Sequence, residues 1–265
     1  MITSTWPRPL SLLLRIRWQS VSPAAESPCQ GYDRGVLRGL LFEFRGVLLD
    51  DSSLHVEAAE RVLADLGLAL EGRSARAACR GGGDRACFEA ALRAAGEAPD
   101  PSRIARLAAR KASYYRDRVR QTGYPTASGA LHLVKSALAR GLSLALVTGA
   151  PRDEVEQALA QEGLLRSFKV ILTADELPHT ALSPEDYIRA LDGLNSLPPL
   201  PDRMIHPHEV VAIGATPEAL AAAAAAGLGT VGVARLVPAA ELSATWVVTN
   251  LDVVELSDLE ARFGE

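Results

Sequence analysis

Cysteine is scarce in this chain. Cys29, Cys79 and Cys87 are the three among 265 residues, too few and too scattered for a disulfide framework or a zinc site. That scarcity points to a reduced, cytoplasmic setting. Long apolar runs are missing as well. None approaches the roughly 18 residues of a membrane-spanning helix, so no membrane partner is expected. Aromatic residues make up 5% of the chain, and no basic stripe carries interleaved aromatics, so no nucleic-acid partner is expected. Lysine is rare, 3 against 25 arginines. Any site that needs a lysine can therefore draw only on Lys111, Lys135 or Lys169. What is present is ordinary for a folded soluble domain: 48% hydrophobic and 23% charged residues, enough to bury a sizeable core.

The net charge of −4 is unevenly spread. Residues 1–52 carry +1, residues 53–127 carry +4 and residues 128–265 carry −9. A basic middle and an acidic C-terminal part suit two bodies in contact, or a cleft that attracts anions. Solvated helix faces give the same arithmetic.

Residues 1–35 read as an extension and linker. The first 25 hold three arginines and no acid, and Leu12-Leu13-Leu14 is too short for a signal-peptide core. Leu40 to Phe44, stopped by Gly46, reads as a buried parallel strand. A helical stretch follows over 53–127. Val56, Ala59, Val62, Leu63 and Leu66 recur at helical spacing, as do Ile104, Leu107 and Ala108, and Gly81-Gly82-Gly83 interrupts the middle. Strands at 142–147, 169–172, 209–213, 230–233 and 246–249 then alternate with helices. Pro151 opens one helix with Asp153 and Glu154 in its first turn, and Ser183 to Asp186 has the form of a capping box. This predicts an α/β fold, a Rossmann-like doubly wound parallel sheet formed by 36–52 and 128–265, with an all-helical cap inserted at 53–127. Ligands of such sheets bind beyond the carboxyl ends of the strands. The places to inspect are Glu43–Gly46, Thr148-Gly149, 178–183 and 213–217.

Those places carry a family pattern. Leu41-Phe42-Glu43-Phe44-Arg45-Gly46-Val47-Leu48-Leu49-Asp50, with Leu54-His55 after it, resembles the first motif of the haloacid dehalogenase-like hydrolases, in the beta-phosphoglucomutase-like branch with a helical cap. That motif usually reads F-D-x-D-G-V-L-x-D. Leu146-Val147-Thr148-Gly149 resembles the second motif. Ala181 to Tyr187 resembles the third, usually K-P-x-P-E/D-x-Y. Ala212 to Pro217 resembles the fourth, usually V-x-E-D-S. The resemblance implies magnesium-dependent chemistry on phosphate monoesters or phosphosugars.

The residues that such chemistry needs are replaced. Glu43 stands at the position of the nucleophilic aspartate. Its extra methylene displaces the carboxylate by over ~1 Å, enough to cost on the order of a hundredfold in a positioned reaction. Arg45 stands at the position of the general acid/base and cannot accept a proton near neutrality. Ala181 replaces the lysine of the third motif. Gly214 and Ala215 replace the acidic pair of the fourth, where magnesium would find its carboxylate oxygens. Only Thr148, the phosphate-binding hydroxyl of the second motif, matches. No metal or other cofactor is therefore expected, although active members use magnesium.

The replacements permit a site of another kind. Glu43 and Arg45 are two apart on a predicted strand, so both would point to one face and form an ion pair in place of the metal. Such a pair either only neutralises a buried carboxylate, or lets Arg45, Thr148, Gly149 and nearby backbone N–H groups hold a phosphate-like anion. The expectation is a catalytically degenerate protein that binds a phosphorylated metabolite or a protein partner. The alternative is a weak magnesium-dependent phosphatase or phosphosugar hydrolase using Glu43. The glycine break with Asp84 and Arg85 is either a turn or a substrate-contacting loop of the cap. His55 reads as helix-start packing. His179, His206 and His208 read as solvated loop residues, and Tyr114, Tyr115 and Trp246 as core or interface.

Overall fold

The computed structural model describes residues 36–71, 73–81, 83–177 and 182–264. Cys29, Ala181, His179 and the linker 1–35 lie outside the described residues. Strand β1 (Gly39–Phe42) is followed by four helices, α1 (Ser52–Ala64), α2 (Arg73–Gly81), α3 (Gly83–Ala94) and α4 (Pro101–Thr122). Then come α5 (Ala130–Ala139), β2 (Ser143–Val147), α6 (Arg152–Gln161), β3 (Val170–Leu172), α7 (Pro184–Ser196), β4 (Val210–Gly214), α8 (Pro217–Ala225), β5 (Gly229–Val233), β6 (Trp246–Val248) and α9 (Leu256–Phe263). The six strands form one parallel sheet in the order β3-β2-β1-β4-β5-β6. β1 lies in the middle because the chain winds first to one side of it and then to the other. The strand order therefore reverses between β1 and β4, where doubly wound sheets place their crevice.

Both faces of the sheet are covered, which is why its strands are apolar runs and not alternating ones. Leu40, Phe42, Leu144 and Leu146 pack with residues of α5, α6 and α9. Leu41, Ala145 and Val147 pack on the other face with α7 and α8. The alanine run of α8 keeps that helix thin, so Ala222 and Ala223 pack against Val210 and Ala212. Its N-terminus is capped by Thr216, whose hydroxyl accepts the Ala219 N–H at 3.4 Å. In α7 the carboxylate of Asp186 accepts the Ser183 N–H at 2.8 Å, one half of the predicted capping box.

The cap helices have a core of their own, built on Val62, Leu63, Phe88, Leu92, Ile104 and Leu107. Leu66 departs from its predicted place on this face: α1 stops at Ala64, and Leu66 beyond it is exposed. The cysteine expectation is also corrected. Cys79 and Cys87 form a disulfide between α2 and α3, with Cα atoms 4.4 Å apart. They stand eight positions apart in sequence, on the two helices that flank the glycine break.

Gly46 ties the loop after β1 to the rest of the sheet. Its φ is +78°, and a Cβ there would come within 2.6 Å of the Ala215 Cβ and 2.8 Å of the Leu236 side chain. Gly46→Ala therefore combines left-handed strain with a clash. It is expected to cost about 2–3 kcal/mol in urea-induced unfolding.

Candidate functional site

The loops after β1, β2 and β4 meet the cap across a cleft of about 440 Å³. From the sheet side it is lined by Glu43, Arg45, Asp51, Thr148, Gly149 and Thr216, and from the cap by His55, Cys79, Arg80, Asp84 and Lys111. The sequence-selected Glu43, Arg45, Thr148 and Gly149 are thus brought together. Ala215 is fully enclosed beside them, and its backbone, not its side chain, takes part.

Glu43 lies just past the end of β1, on the line where β1 and β4 part. Its carboxylate folds toward α8. Oε2 accepts the Ala215 N–H at 2.8 Å, and Oε1 accepts the Thr216 hydroxyl at 3.2 Å. Gly214 leaves the room for this, since a Cβ there would sit 3.3 Å from Oε2. Burial pushes the Glu43 pKa up to about 7, against the lowering effect of the Ala215 and Thr216 hydrogen bonds and with a further push from Glu218. A carboxyl half protonated near neutrality, with both oxygens engaged, is a poor nucleophile.

Arg45 does not pair with Glu43, which corrects the expected ion pair. β1 ends at Phe42, so the alternation of a strand no longer governs positions 43 and 45. The Arg45 guanidinium instead turns to α6, where Nη2 donates to Glu154 Oε1 at 2.8 Å and Oε2 at 3.1 Å. Its Nε lies 3.8 Å from Asp51 Oδ2 and has no hydrogen-bond partner among the described residues. Glu154 sits in the first turn of α6, where the helix dipole also favours a carboxylate.

Asp51 is the hub that the sequence did not reveal. It is 1% exposed, and its Oδ2 accepts the Tyr115 hydroxyl at 2.8 Å and lies 3.0 Å from His55 Nε2. Burial pushes its pKa up, but the His55 contact, Arg45 and the Tyr115 bond together hold it below the ordinary value. A carboxylate has only acceptors, so His55 donates from Nε2. Burial, helped by the charges of Arg45 and Lys111 and opposed by Asp51, lowers the His55 pKa, so the ring is neutral at pH 7. It stacks on Tyr115 with ring centroids 4.5 Å apart. His55 is therefore more than helix-start packing, and Tyr115 more than core.

Lys111, also missed, reaches from α4 into the cleft and pairs with Asp84 at the start of α3. Thr148 is buried, and its Oγ1 accepts the Ala150 N–H at 3.1 Å. The remaining sequence candidates lie elsewhere. Asp50 pairs with Arg235 at 2.5 Å, Tyr114 donates to Asp65, His206 stacks on His208, and Trp246 lies under Arg262. Lys169 donates to the carbonyls of Leu194 and Pro199.

The residues present do not fit the magnesium ion of the resembling family. That ion needs a set of oxygens. Glu43 is turned to α8, the adjacent positions are Arg45 and Ala215, and no group of three or more His, Cys, Asp or Glu among the described residues is placed to hold a metal.

A doubly wound parallel sheet, a helical insert after its first strand and a cleft at the strand ends define a capped Rossmann-like protein. The chain belongs to the haloacid dehalogenase-like hydrolases, whose family model matches residues 37–227. It is 31% identical over 107 residues to validoxylamine A 7'-phosphate phosphatase of Streptomyces hygroscopicus subsp. limoneus, a match spanning 40% of this chain and 46% of that protein. It is 28% identical over 168 residues to the protein CbbY of Rhodobacter capsulatus, covering 62% of this chain and 74% of that one. Its fold is similar to that of a beta-phosphoglucomutase from Clostridium difficile, with a TM-score of 0.67, 16% identity and coverage of 86% and 97% of the two chains.

The opposed pKa shifts give separate pH windows. Glu43 holds its proton up to about 7 in the folded chain, against 4.5 ordinarily. The folded state thus binds more protons between these values, and its contribution to stability falls as pH rises through them. Glu43→Gln should flatten that decline and exceed the parent by about 2 kcal/mol at pH 8. Asp51, lowered, contributes stability above its ordinary value of 3.8 that is lost as pH falls. Urea unfolding at pH 2 to 8 measures both; an unchanged slope in Glu43→Gln would contradict the Glu43 assignment.

Proposed function

We propose that this protein is a catalytically degenerate family member that holds a phosphorylated small molecule in its cleft without cleaving it and without a metal. The observation that carries this reading is the Arg45–Glu154 pair. A permanent cation stands where the resembling family places the general acid/base, and an acid from a different helix has been supplied to hold it. Arg45, Arg80 and Lys111 all line the cleft. With the Thr148 hydroxyl and the nearby backbone, they are the groups that an anionic phosphate ester would meet. One relative is named a phosphatase, and phosphate esters are accordingly the ligand class proposed here.

The competing reading, a slow phosphatase with Glu43 as nucleophile, is disfavoured by the same geometry. Its carboxylate is bound to α8 and partly protonated near neutrality, and Arg45, which cannot take up a proton, is the residue two positions on. The purified protein is expected to release no phosphate from a broad ester panel with Mg²⁺. Calorimetry should show ester binding that chelation with EDTA leaves unchanged and that Arg45→Ala weakens by roughly tenfold, the scale of one charge-assisted contact. Turnover that disappears in Glu43→Ala would overturn this reading, and an empty ester panel would shift it to a protein partner.

A further inference from the structure

We propose that Cys79 and Cys87 are a thiol–disulfide couple that small-molecule thiols reach through the cleft, and that its state sets how strongly the cleft holds an anion. The first half stands by itself; the second rests on the anion-binding reading above.

The two sulfurs are not equivalent. Cys87 is fully enclosed in the cap core, with Phe88 and Leu92 in the same cluster. Cys79 belongs to the same cluster and is 3% exposed, but it also borders the cleft beside Arg80, Asp84 and Lys111. A thiol entering the cleft therefore meets Cys79. Its thiolate attacks Cys79 Sγ, the protein S–S bond breaks, and Cys87 leaves as a thiolate that takes up a proton. A second thiol then attacks the mixed disulfide and frees Cys79. The protein gains two thiols while two small thiols become one small disulfide, and the reverse sequence restores the bridge.

The bridge also encloses the residue that governs Lys111. Asp84 lies between the two cysteines in sequence, in the first turn of α3, and its carboxylate pairs with the Lys111 ammonium. Lys111 is the one lysine lining the cleft, and in this state its charge is already satisfied. An incoming anion must displace Asp84 to use it. With the bridge closed, residues 79–87 form a short covalent loop that holds Asp84 in place. Opening the bridge releases the first turn of α3 and lets Asp84 yield Lys111 to the anion. The oxidised form is thus the weak binder and the reduced form the strong one.

The test uses the full chain equilibrated in glutathione buffers of graded ratio, trapped by alkylation and mapped by peptide mass. Mapping separates Cys29 from the couple. Reversible interconversion, with mixed disulfide on Cys79 in preference to Cys87, is expected. A couple that stays oxidised across the whole range, while the urea-unfolded chain exchanges, would overturn the first half. Inorganic phosphate is then titrated by calorimetry into the oxidised and reduced protein. The reduced form should bind roughly fivefold more tightly, the scale of one partly exposed ion pair. Asp84→Asn should bring the oxidised form up to that affinity, and Lys111→Met should erase the difference. The double variant Cys79→Ser with Cys87→Ser should match the reduced protein; should it fail to fold, the chemically reduced parent supplies the same comparison. Equal affinities in both states would overturn the coupling and leave a structural bridge. Exchange without phosphate binding in either state would overturn the anion-binding reading and the coupling with it.

Discussion

A single fixed cation organises the floor of this cleft. A guanidinium cannot be neutralised by losing its proton near neutrality, so a partly enclosed Arg45 must be matched by acids. Glu154 comes from the start of α6 and Asp51 from the entry to α1. Once Asp51 is enclosed beside that cation, its remaining acceptor capacity draws in His55 and the Tyr115 hydroxyl. The sequence of dependencies runs outward from one residue of the sheet loop into α1 and α4, so this one charge also fastens the cap to the core.

The other half of the site shows a compensation in volume. Glu43 is a long side chain, and the two positions facing it across the β1–β4 crevice are the small residues Gly214 and Ala215. The carboxylate reaches over the small residues to the N-terminus of α8. A side chain at 214 would crowd Oε2, and an acid at 215 would add a second negative charge beside a carboxyl already difficult to ionise. Residues 43, 214 and 215 thus form one unit in physical terms. Each is intelligible only with the others, and together they leave the α8 cap intact.

The sheet was legible because its signals are local. Short apolar runs ended by Gly or Thr mark buried strands, and Pro151, Ser183 and Thr216 mark helix starts; all appear within a residue or two of their expected places. The four site positions on the sheet loops were legible through the motif resemblance. What could not be read is what depends on contacts across the cleft. The Glu43–Arg45 pair was inferred from strand alternation, which stops at Phe42. Glu154 was visible only as a helix-dipole acid, although its main partner lies 109 residues away. Asp51 was hidden beside Asp50, and nothing in a one-dimensional pattern says which of two adjacent acids turns inward. Cys79 and Cys87 were read with Cys29 as too few and too scattered; a glycine break midway between two cysteines eight positions apart was the signal that they could meet.

The positive charges that reach into this cleft are largely matched from within. Arg45 has Glu154 and Lys111 has Asp84. This distinguishes it from a site organised to stabilise charge that develops during a reaction, where donors are aimed at a position the protein leaves open. Under the proposed reading an anion gains Arg45 or Lys111 only by taking it from a carboxylate, so the free energy of either contact is a difference between two ion pairs and not the full strength of one. Affinity is then modest and adjustable, because whatever loosens the internal carboxylate strengthens the ligand. Arg45 is anchored by a bidentate contact from a helix terminus, whereas Asp84 stands at the edge of a short covalent loop. The adjustable cation of this pair is therefore the lysine of the cap, and the arginine of the sheet is the constant one.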